Sequence, residues 1–102
     1  MIARRWHGRV AAAKADEYAR LMRDVALAQC RATRGNRGAW CLTRAEGDIV
    51  HFEMFTLWDD AAAIARFAGD DIDRARSYAF DADFLLEMEP HVVHFVADAL
   101  PA

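Results

Sequence analysis

Hydrophobic positions along the chain fall into two periods. Ile2 to Val10 reads as a strand, with Arg4, Arg5 and Arg9 interrupting the alternation and Gly8 marking a bulge or close backbone approach. From Ala11 to about Cys30 the period changes to helical, placing Tyr18, Leu21, Met22, Val25 and Ala28 on one face. Asp16 and Glu17 precede Arg20 and Arg23 in this segment, the order that suits the helix dipole. A loop with two glycines covers residues 31–38, followed by a short strand over residues 39–44. A turn at 45–48 leads into the strongest strand signal, Ile49 to Trp58, rich in β-branched and aromatic residues. Asp59 or Asp60 caps a second helix that turns Ile64 and Phe67 inward, and Gly69 ends it. Asp70 or Asp71 is expected to cap a short helical continuation holding Ile72, Ala75 and Tyr78. Residues 80–89 read as irregular or a single helical turn, Pro90 closes them, and His91 to Val96 forms a last strand.

The order β-α-β-β-α-β is the split-βαβ pattern of an α+β, ferredoxin-like fold, and 102 residues make it one domain spanning 1–102. Apolar residues occupy both sides of the strands. Ile49, Phe55 and Leu57 face one way, while Val50, Phe52 and Met54 face the other. A sheet with one wet face alternates more cleanly, so the second face requires a cover, and a homodimer is the simplest. Composition strengthens this expectation. The 55% hydrophobic fraction includes 22 alanines, each of which buries little apolar area.

Thirteen basic and sixteen acidic side chains give a net charge of −3 with no basic cluster, which argues against nucleic-acid binding. No run reaches the roughly 18 apolar residues of a membrane span. The opening Met1-Ile2-Ala3-Arg4-Arg5 does not resemble a secretory leader, so a cytoplasmic protein is expected. Cys30 and Cys41 form neither a CxxC pair nor a metal-finger spacing and read as free thiols.

Three separated stretches carry a resemblance. They are Arg5-Trp6-His7-Gly8-Arg9, the run Phe55-Thr56-Leu57-Trp58-Asp59-Asp60 with Ala63 to Gly69, and Leu86-Glu87-Met88-Glu89-Pro90-His91-Val92-Val93-His94-Phe95. Together they resemble the antibiotic-biosynthesis-monooxygenase family over nearly the whole chain. The resemblance implies a dimeric α/β barrel and a cleft between sheet and helices, lined by the first strand and second helix. That scaffold hosts quinone-forming monooxygenases, haem degraders, degraders of signalling molecules and members without assigned role. The Asn, Trp and His of the haem-degrading branch correspond to His7, Phe67 and Ser77, and all three differ. The quinone-forming branch works without metal, flavin or haem. It deprotonates an electron-rich phenolic substrate and lets the carbanion meet oxygen directly, which needs a pocket, a base and an oxyanion stabiliser.

On this reading no cofactor is expected, and the ligand is a small aromatic or polyketide-like molecule. His7 is the proposed base, or else a structural histidine bonded to a carbonyl. Trp6, Phe67 and Tyr78 shape the pocket, with Arg66 or Arg5 as the enolate stabiliser. The alternative is a non-catalytic ligand-binding or structural dimer of the same fold. His51 and Glu53 share a strand face, but they and His91 with His94 match no metal signature. His94 is expected to hydrogen-bond in the dimer, and Trp58 to pack in the core.

Overall fold

The computed structural model describes residues 1–100. Strand β1 spans Ile2–Ala11, and helix α1 follows over residues 12–32. Strands β2 (Asn36–Glu46) and β3 (Ile49–Trp58) form a hairpin, then come helix α2 (Ala61–Ala68) and the short strand β4 (Val93–Val96). The strands form one antiparallel sheet in the order β2-β3-β1-β4. This is the ferredoxin-like α+β arrangement that the hydrophobic periods specify.

One face of the sheet carries the core. Trp6 and Val10 of β1 and Phe52, Met54 and Trp58 of β3 pack against Tyr18, Met22, Ala26 and Cys30 of α1 and Ala63, Ile64 and Phe67 of α2. Helix α1 is not uniform: its middle, Met22–Leu27, is wound as a π-helix between two α-helical stretches. Asp60 caps α2, its side chain accepting from the Ala63 N–H at 2.9 Å. Gly69 ends that helix at φ 90°, a conformation side chains other than hydrogen rarely adopt. Gly8 serves a different purpose. A Cβ there would lie 2.5 Å from the Trp6 ring and 2.8 Å from Leu85, so its missing side chain is the space the indole occupies.

Two expectations need correction. Residues 70–78 do not continue the second helix; they turn at Ile72–Asp73 and then run beside the segment before β4. The Ala75 N–H donates to Pro90 O (2.8 Å), the Val92 N–H donates to Asp73 O (2.9 Å), and Arg74 bridges to His91. These pairings engage the amides that a helical turn would have used. The last strand is also shorter than His91 to Val96, because residues 91–92 are spent on that pairing. β4 therefore flanks only Ile2 to Arg5 of β1. Beyond Arg5 that edge of β1 lacks a strand neighbour until Arg9 and Val10 meet Leu86 and Leu85.

Candidate functional site

Strand alternation sends Arg4, Trp6 and Gly8 toward the helices and Arg5, His7 and Arg9 to the opposite face. One chamber lies between the sheet and the helices, and a second adjoins it under the segments 74–77 and 85–90; the two share Trp6, Arg76 and Asp81. The inner one holds about 20 Å³ and is lined by Arg4, Tyr18, Cys30, Phe67 and Tyr78 among others. The outer one holds about 130 Å³, walled by residues 74–77 and by Leu85, Met88, Glu89 and Pro90. The first has room for about one water, and a cavity of about 150 Å³ accepts a benzene, so the second suits a single ring.

Charge and aromatic surface converge here. The guanidinium of Arg76 sits 4.9 Å over the Phe67 ring and 5.3 Å over the Tyr78 ring, and Arg4 approaches the Phe67 ring at 5.8 Å. Arg4 is buried, and its Nη2 donates to Arg74 O at 2.9 Å and, more weakly, to Ile72 O at 3.4 Å. Burial lowers its pKa. Asp81 is buried too, accepting from the Tyr18 hydroxyl (2.9 Å) and the Tyr78 N–H (2.9 Å). Burial, followed by the Asp81 charge, pushes the Tyr18 hydroxyl far up; burial, outweighing the opposing charges of Arg76 and Arg4, lifts Tyr78 to about 12 and the Cys30 thiol to about 11. All three groups therefore stay protonated at neutral pH and act as donors or apolar wall.

The five residues that the sequence grouped into one site are divided by the fold. Trp6, Phe67 and Tyr78 line the chambers. Arg66 does not: it lies exposed, and its Nη1 donates to Arg34 O at 3.0 Å, tying α2 to the loop after α1. His7 stands on the far face of the sheet, because adjacent strand residues point to opposite sides. There it borders a shallow hollow of about 200 Å³ with Leu42, Thr43, Arg44, His51 and Glu53.

His7 keeps one link to the cleft. Glu89, which walls the outer chamber, reaches around the open edge of β1 to the His7 Nδ1 at 2.5 Å. His7 Nε2 meets His51 Nδ1 at 2.9 Å, and His51 Nε2 meets Glu46 at 3.2 Å. Bonding to His51, and then to Arg44, lowers the Glu46 pKa. Sequence reasoning missed Arg4, Arg76, Asp81 and Glu89. The one available signal was that Arg4 shares the strand parity of Trp6.

His94 bonds Asp73 within the chain at 3.1 Å. Trp58 packs in the core, its Nε1–H donating to Thr56 Oγ1 at 2.8 Å. Among the described residues Cys30 and Cys41 are free, and no group of three His, Cys, Asp or Glu could hold a metal ion. Among the described residues no helix is long and apolar enough to cross a membrane.

Solved structures share this architecture. The chain is similar to the NE2512 protein of unknown function from Nitrosomonas europaea, at 20% identity over 99% of this chain and 94% of that one, with a TM-score of 0.71. It is similar to Rv0793 from Mycobacterium tuberculosis at 16% identity over the whole of both chains, with a TM-score of 0.63. An uncharacterized NIPSNAP domain protein from Burkholderia xenovorans matches at 22% identity over 100% of this chain and 99% of that one, with a TM-score of 0.55. These likenesses establish the fold. At such identities they carry no activity across, and function must be argued from the site. No family model matches the sequence, and no curated protein is similar to it.

Proposed function

We propose that the protein binds a small aromatic or polyketide-like molecule in the cleft between its sheet and helices. The observation that carries this reading is the ring-sized outer chamber, whose walls include Trp6, Leu85 and Met88 and which opens onto the Arg76–Phe67 contact. Phenol is the simplest probe. Calorimetric titration should show saturable binding, and Leu85→Trp, which fills the outer chamber, should abolish it. Folded protein that does not bind phenol, or a Leu85→Trp variant that binds it equally well, would overturn the reading.

A second reading adds chemistry: oxygenation of the bound ring without metal, flavin or haem. Glu89 favours it, as a carboxylate in the chamber wall backed by His7. Glu89 would accept the substrate proton and His7 would hold it in place, so His7 acts on the cleft only through its neighbour. Oxygen consumption with a single-ring, electron-rich phenol such as 1,3,5-trihydroxybenzene tests this. Uptake that Glu89→Gln abolishes is expected, and uptake indifferent to that change would contradict it.

The working unit on this account is a homodimer. Trp40, Leu42, Val93 and Phe95 are each roughly half exposed on the sheet face away from the helices, beside Phe55 and Leu57. A second copy laid on this face would bury them.

A further inference from the structure

We propose that the ligand of the cleft is an anion: a small aromatic carboxylate or ionised phenol whose charged oxygen occupies the inner chamber beside Arg4. The inference rests on the reading of the cleft as an aromatic site and names the class of molecule that site takes.

Arg4 is only 5% exposed, yet its Nε has no hydrogen-bond partner among the described residues. Buried donors are nearly always paired, and a buried guanidinium cannot escape the cost by losing its proton. Among the described residues no carboxylate pairs with it directly, and Asp73 acts on it only at longer range. Asp81, the carboxylate of the inner chamber, has both oxygens engaged, by Tyr18 and by the Tyr78 N–H. Glu89 of the outer chamber is held by His7. Neither Arg4, Arg74 nor Arg76 forms an ion pair among the described residues. Three guanidinium groups thus line the joined chambers without an ion pair of their own, and of these only Arg4 is buried.

Volume places the ligand's two parts. The outer 130 Å³ takes a ring, while the inner 20 Å³ takes one oxygen-sized group against Arg4. Both Arg4 and Arg76 approach the Phe67 ring, and Arg76 lines both chambers, so a ring substituent passing from the outer chamber to the inner one meets two cations. A water could satisfy the Nε donor, but it would not give the buried guanidinium a directly paired anion.

Benzoate and benzamide have nearly the same shape and differ in charge, so their affinities decide the matter. Calorimetry at neutral pH should give benzoate an advantage of about tenfold or more, the usual worth of a charge-assisted hydrogen bond. Arg76→Gln should cut that preference, and Arg4→Lys, which keeps the charge but removes Nε, should cut it too. Arg5→Gln, on the other face of the sheet, should leave it intact. Arg4 also holds two loop carbonyls, so Arg76→Gln serves as the test if the Arg4 variant does not fold. Equal binding of the two probes, or a preference lost with Arg5→Gln but kept with Arg76→Gln, would overturn the anion site and leave the aromatic reading standing. Folded protein that binds neither probe would overturn both.

Discussion

His7 Nε2 lies 2.9 Å from His51 Nδ1, and the two imidazoles meet edge to edge within 24° of a common plane. Their centroids are 5.2 Å apart, which is the nitrogen separation plus the two ring half-widths, so the contact is a nearly straight N–H···N bond. Glu89 and Glu46 hold the outer nitrogens, and a carboxylate can only accept. The chain Glu89–His7–His51–Glu46 thus ties the segment before β4 to β1, β3 and β2. A double-mutant cycle between His7→Phe and Glu89→Ala, read by urea unfolding, should give a coupling of about 1 kcal/mol. Additive effects would mean that the pair does not hold the segment.

The Cys30 thiol has its pKa raised by burial to about 11 from 9.0. The unfolded chain therefore loses this proton first. Its contribution to stability is complete below pH 9 and is lost as pH rises from 9 toward 11, because ionisation favours the unfolded state. Urea unfolding should show about 1 kcal/mol lost between pH 8 and 10, and Cys30→Ala should flatten that slope. Tyr18 and Tyr78 act in the same direction at higher pH, so the difference between wild type and variant is the quantity to read. Identical slopes would contradict the buried-thiol account.

What the sequence made legible was local. Asp60 and Gly69 bound α2 where side-chain capping and a positive φ require them, and Phe67 lies on that helix's inward stripe. Grouping His7 with Trp6 overlooked the period of two, which puts neighbours on opposite faces of a strand. Arg4 was hidden for another reason. A lone arginine in a strand looks solvated, and its burial depends on carbonyls at Ile72 and Arg74, in a segment without a repeating pattern. Residues 70–78 looked helical because their partners, Asp73 and Ala75 with Val92 and Pro90, are joined by backbone bonds that leave no periodic trace.

Gly8→Ala tests the packing of the cleft wall. The added methyl would stand 2.5 Å from the Trp6 ring, with Leu85 closing the other side, so the indole must shift. A loss of about 1–3 kcal/mol is expected in thermal or chemical unfolding. An unchanged stability would show that the ring can move freely.

The outer face of the sheet makes its own prediction. Light scattering should give twice the 11.5 kDa chain mass. Phe55→Lys, which places a charge beside Trp40 at the middle of that face, should halve the mass without unfolding the chain. A wild-type monomer, or a variant that remains dimeric, would remove this face as the interface.

Three tryptophans report on three places, so the position of a bound ligand is directly measurable. Trp6 walls both chambers, Trp58 is buried beside Thr56, and Trp40 stands on the outer face. In a benzoate titration followed by the three indole N–H resonances, the cleft account predicts a saturable shift at Trp6 and none at Trp40. A shift at Trp40 with Trp6 unmoved would put the ligand on the wrong side of the sheet and contradict it.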